Sequence, residues 1–107
     1  MSSATDFRDV TFADIKRSIT GKRRAVYEAL FVYGPCTTAH LAEIMDMSIL
    51  TVRPRVTELC QMGLARPADI QPVRGQGNYE AVSYAEAQEL HEQQQGRARQ
   101  MALRLGA

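Results

Sequence analysis

The chain has 107 residues, 45% of them hydrophobic and 23% charged, with a formal net charge of +1. That is the make-up of one globular domain, able to bury roughly two thirds of its extended-chain surface. No apolar run approaches the ~18 residues that span a membrane, and no apolar signal core follows Met1. Cys36 and Cys60 sit in apolar stretches and read as reduced thiols, so a cytoplasmic protein is expected.

Residues 1–10 are polar and are expected to fray. Thr11 and Asp14 have capping-box spacing, and Phe12, Ile15 and Ile19 follow at helical intervals, which predicts a short lead-in helix. The first core helix should run from Gly21 or Lys22 to Tyr33, burying Val26, Tyr27, Leu30 and Phe31. Gly34-Pro35 ends it, the glycine by turning left-handed and the proline by breaking the hydrogen-bond ladder.

Thr37 or Thr38 caps a second core helix with Leu41, Ala42, Ile44 and Met45 inside, and Asp46-Met47 makes a turn. Ser48 caps a third helix that should reach Met62 and stop at Gly63. Pro54 falls about six residues into that helix, which predicts a distorted first turn or a start nearer Thr51.

Leu64 to Val73 reads as extended, interrupted by Pro67 and Pro72, and residues 74–78 carry a turn signal. Tyr79 to Tyr84 alternates like a strand, so a hairpin with edge strands is expected. The remainder is helix-prone but poor in core residues. Leu90 stands nearly alone, and Ala98, Met101 and Leu105 share a face beyond Gly96. The expected fold class is α+β, mainly α: a winged helix-turn-helix over residues 21–84, made of a three-helix core and a β-hairpin wing. Residues 1–20 form a partly helical N-terminal extension, and 85–107 a C-terminal helix or tail.

On the third helix, Val56 and Leu59 fall within about 40° of Val52, and the three define the inward stripe. Leu50, Pro54, Thr57 and Gln61 point away from it, with Arg53 on one flank and Arg55 on the other. Arginine reads guanine, glutamine adenine, and threonine either base edges or the thymine methyl, so Arg53, Thr57 and Gln61 are candidate DNA contacts. Ser48, Leu50 and Thr51 join them from the first turn. Arg55 either reaches a phosphate or pairs with Glu58 or Asp46. In the hairpin, glycines beside Arg74 and Gln76 suit close approach to a DNA backbone and a narrow minor groove. Lys22 and Arg23 open the first core helix against its macrodipole, which favours a phosphate-binding role.

Charge supports the same surface. Residues 16–74 carry nine Lys and Arg against five acids, a balance of +4, while residues 1–15 come to −2 and 75–107 to −1. Nothing suggests an enzyme: His40 and His91 have no ligand-spaced partners, Cys36 has no neighbouring histidine, and carboxylates are scattered. No catalytic residue, metal or cofactor is expected.

The stretch from Leu41 to Leu64 resembles the helix-turn-helix of MarR-like winged-helix regulators. The shared positions are Leu41, Ala42, Asp46, Met47, Ser48, Thr51, Val52, Leu59, Gly63 and Leu64. The T-V-R-P-R-V-x-E-L variant is also similar to small winged-helix proteins of phages and other mobile elements. Asp46 replaces the usual turn glycine, Pro54 is foreign to the pattern, and the chain is shorter than MarR proteins, so no small-molecule effector is carried over. The resemblance implies a double-stranded-DNA-binding transcriptional regulator, a repressor acting as a homodimer through residues 1–20 or 85–105. With ~4 phosphates neutralised per subunit, binding should fall with salt at a log–log slope of about −7. The competing expectation is a winged helix serving as a protein-interaction module in a larger assembly.

Overall fold

Thr11 and Asp14 each bond the other's backbone N–H, closing a complete capping box from which α1 (Phe12–Arg17) starts. The computed structural model describes residues 11–72 and 74–106, with side chains through residue 96. The fray expected at residues 1–10, Val73, and the face expected of Ala98, Met101 and Leu105 lie outside the described residues. Phe12, Ile15 and Ile19 are all buried and join the main core. The Phe12 ring meets Tyr84 edge-on at 6.5 Å and His91 at 6.2 Å, so α1 lies against α5 (Tyr84–Gly106).

Helix α2 (Gly21–Tyr33) buries Val26, Tyr27 and Leu30. Phe31, expected beside them, is instead 56% exposed. Tyr84 takes the place next to Tyr27, 5.3 Å away, and leaves Phe31 at the rim, edge-on to the same ring at 6.0 Å. Gly34 ends the helix in an extended conformation, φ −75° and ψ 166°, and not in the expected left-handed one. Its reason is steric: a Cβ there would run into the Leu30 carbonyl, to which Gly34 donates its own N–H at 2.8 Å.

Thr37 caps α3 (Thr38–Met45) by accepting from the His40 N–H at 3.1 Å. Leu41 and Ala42 are buried and Met45 packs on the core. Ile44, expected in that stripe, is only half-buried because it falls about 60° beyond Leu41, on the side away from Ala42. Ser48 caps α4 (Ile49–Gln61), which buries Val52, Val56 and Leu59 and is α-helical throughout. Neither a late start nor a broken first turn accommodates Pro54. The Leu50 carbonyl that loses this donor belongs to a residue 79% exposed, where water can replace the bond.

Strands β1 (Ala65–Pro67) and β2 (Tyr79–Ala81) pair antiparallel, Arg66 opposite Glu80 and Pro67 opposite Tyr79. Tyr79 bonds Cys36 through both its N–H (2.8 Å) and its carbonyl (3.1 Å). The N–H that Pro67 lacks is therefore not needed on that side, and β1 is the edge, as the prolines predicted. The strand expected to reach Tyr84 stops at Ala81. Ser83 accepts from the Glu86 N–H at 3.2 Å and caps α5 instead. Among the described residues the result is α+β and mainly helical, five helices and one two-stranded hairpin. The core shared by α1 to α4 extends to Val82 and Ala87, and the Tyr27 hydroxyl donates to the Val82 carbonyl at 2.7 Å.

Candidate functional site

Packing Val52, Val56 and Leu59 inward turns the rest of α4 outward, and Leu50, Arg53, Pro54, Thr57 and Gln61 are all exposed. Ser48 is exposed at the helix start, its hydroxyl engaged by the Leu50 N–H at 3.1 Å, and Thr51 is half-buried beside it. One flank of α4 borders an open cleft of about 530 Å³ whose other wall is the hairpin. Arg53, Val56, Thr57 and Cys60 line it from α4, Thr38 from the start of α3, and Pro67, Gln76, Gly77 and Tyr79 from the hairpin. Arg53, Thr57 and Gln76 were each nominated by the sequence, and the fold brings them to one place. Thr38 and Tyr79 were not. The only local signal for Thr38 is its position at a capped helix start, and for Tyr79 its place directly after the glycine-rich turn.

The opposite flank is closed. The Glu58 carboxylate faces Arg55 at 2.7 Å and Arg23 of α2 at 3.2 Å, with all three side chains between 26% and 32% exposed. Arg23 also donates to the Ser18 carbonyl at 3.0 Å, tying α1, α2 and α4 together. The Arg55 contact through Nε is ionic, off the N–H axis. Its buried Nε–H has no aligned acceptor, while the terminal nitrogen donates to Glu58 at 3.2 Å. Arg23 and Arg55 are thus engaged within the protein, and Arg55 takes the Glu58 alternative that the sequence had left open.

Pairing of this kind consumes most of the basic stretch. Arg17 is bonded to Asp14, Arg24 to Glu28, and Arg66 to both Glu80 and Glu86. Lys16 lies 5.2 Å from the centre of the Tyr84 ring. Among the described residues, Lys22, Arg53 and Arg74 are the cations between 16 and 74 with neither a carboxylate nor a ring partner, and all three are exposed. Arg74 (φ 51°) and Gly75 (φ 77°) are consecutive left-handed residues in the loop between β1 and β2, the backbone pattern of a tight I′ turn. Below them Asn78, itself buried, donates to the Gln71 carbonyl at 3.1 Å and holds the loop closed.

Burial pushes the thiols of Cys36 and Cys60 above their ordinary range, which disfavours the reactive thiolate. Among the described residues no three His, Cys, Asp or Glu side chains cluster as metal ligands would, and no helix is long and apolar enough to cross a membrane. No protein-family model and no curated protein sequence matches this chain.

Proposed function

We propose that this chain is a winged helix-turn-helix regulator, similar in plan to MarR-like proteins, that binds double-stranded DNA as a homodimer and represses by occupying its site. In this reading α3, the turn at Asp46 and α4 are the helix-turn-helix, and the β1–β2 hairpin is the wing. The observation that carries it is the open outer face of α4, bordered by a cleft that the unpaired Arg53 lines, with a second unpaired arginine, Arg74, exposed in the hairpin loop.

One sugar-phosphate strand separates the major and minor grooves of a duplex. With α4 in the major groove and Arg74 in the adjacent minor groove, that strand runs along the cleft past Arg53, Thr38 and Gln76. This makes Arg53 a phosphate contact in place of the guanine reader expected from its residue type. Dimerisation falls to α5, because α1 spends its apolar side chains in the core. Helix α5 is 23 residues, about 34 Å, and continues to Gly106, well past Ala87, its deepest core residue. A two-fold pairing of α5 with its copy suits a palindromic site.

The test is fluorescence anisotropy of a labelled duplex across a salt series. The three free cations described between residues 16 and 74, fewer than that basic stretch suggested, give a log–log slope of about −5 for the dimer. Arg74→Asn keeps a residue that tolerates the left-handed backbone and removes its charge, so the slope should become shallower by about 2. A second reading, a winged helix that docks another protein, is favoured by one observation: Leu50, 79% exposed, projects from the outer face at the first turn of α4. Absence of salt-dependent duplex binding would decide for it.

A further inference from the structure

Leu50, Pro54, Thr57 and Gln61 recur at helical spacing on the stripe of α4 turned furthest from the core, and all four are exposed. The stripe carries no charge. Arg53 lies on the flank facing the hairpin, and Arg55 is bound to Glu58 on the other. At 79% exposure Leu50 is the most exposed of the large apolar side chains among the described residues, and Pro54 stands one helical turn beyond it. A single exposed leucine means little on an ordinary surface. Here it lies in the first turn of α4, on the face that the DNA-binding reading, on which this inference rests, presents to a duplex.

The edges of base pairs in a major groove are polar nearly everywhere. The exception is the 5-methyl group of thymine. Leucine and proline side chains neither donate nor accept, so against a G·C pair they would displace water from the guanine O6 and cytosine N4 without replacing its bonds. Against thymine the same side chains cover a methyl group. Thr57 adds a methyl beside its hydroxyl, and the Gln61 amide matches the N6 and N7 edge of adenine. From Leu50 to Thr57 the helix rises about 10 Å, roughly three base-pair steps. We propose that α4 selects A·T base pairs by packing Leu50 and Pro54 against thymine 5-methyl groups.

The test compares binding of the full chain to poly(dA-dT), poly(dA-dU) and poly(dG-dC) at one fixed salt concentration. The uracil polymer differs from the thymine polymer only by the 5-methyl. The expected order is thymine tightest, then uracil, then G·C, with the first step about fourfold per methyl covered. Leu50→Ala, an exposed substitution that leaves the core intact, should lower the thymine-over-uracil ratio about fourfold for each methyl that Leu50 covers, leaving the share that Pro54 contributes. Equal wild-type binding of thymine and uracil polymers overturns the inference and leaves the DNA-binding reading standing. A thymine preference undiminished in Leu50→Ala overturns the assignment to Leu50. Failure to bind any of the three polymers overturns the DNA-binding reading itself and assigns the Leu50 face to a protein partner.

Discussion

Two arginines, two residues apart on α4, meet opposite fates. Arg55 turns towards α2 and is held with Arg23 on the Glu58 carboxylate, whereas Arg53 turns towards the hairpin and lines an open cleft with no acidic partner. Glu58 lies one turn from Arg55, while the residues one turn from Arg53 are Ile49, Leu50, Val56 and Thr57. A basic segment thus advertises more charge than its fold leaves available. One flank of the helix is a structural joint and the other is free for a ligand.

Removing the joint should have the largest effect. Glu58→Ala leaves two half-buried guanidinium groups facing each other. A fully buried pair broken this way costs 3–5 kcal/mol, and the partial exposure here reduces that to about 2 kcal/mol. The urea midpoint should fall accordingly, and a loss under about 0.5 kcal/mol would show that the two flanks do not differ in kind.

Tyr27 belongs to the same closed side. Burial foremost, and then Tyr84, push its phenol up to about 12. The unfolded chain ionises this group near pH 10 while the folded protein keeps its proton, so stability should drop as pH rises from about 10 to about 12. Tyr27→Phe removes that extra slope and, by orphaning the Val82 carbonyl, costs about 1–2 kcal/mol at neutral pH.

The open flank should respond in binding and not in folding. Arg53→Ala is expected to weaken duplex binding about tenfold, uniformly across sequences, with stability within about 0.5 kcal/mol of wild type. A loss confined to one base position would return Arg53 to the role of guanine reader.

What the sequence disclosed follows from the range of each interaction. The Thr11–Asp14 box, the Ser48 cap and the Gly63 stop involve residues within a turn or two of one another and were legible. Ser83 with Glu86 has the same local spacing. It was passed over because the alternation from Tyr79 to Tyr84 read as a strand. Phe31 was misplaced because its exposure is decided by Tyr84, more than fifty residues away. Gly34 was recognised as a stop for the wrong reason, since a close approach between backbones leaves no trace in residue type. For the site, Arg53, Thr57 and Gln76 were nominated singly, but their meeting across a cleft depends on hairpin placement. The loss of Arg23 to Glu58, 35 residues distant, is equally invisible to local pattern.

The C-terminal ends of α3 and α4 offer the finest comparison. Both α3 and α4 close with the same pair of bonds, Met47 to Ala42 and Asp46 to Glu43 in one, Leu64 to Leu59 and Gly63 to Cys60 in the other. The left-handed residue is Asp46 at φ 53° in the first and Gly63 at φ 80° in the second. An L side chain in that region costs about 1–2 kcal/mol, and glycine's greater freedom in the unfolded chain returns part of it. Asp46→Gly should therefore stabilise the protein by about 0.5–1 kcal/mol. Gly63→Ala should destabilise it by a similar amount, purely conformationally, because a Cβ there meets nothing within 4 Å. Asp46→Gly also removes an exposed carboxylate two residues before the Ser48 cap. If the outer face of α4 meets phosphates, that one substitution should raise duplex affinity together with the unfolding midpoint. A gain in stability alone would place Asp46, and with it the start of α4, away from the nucleic acid.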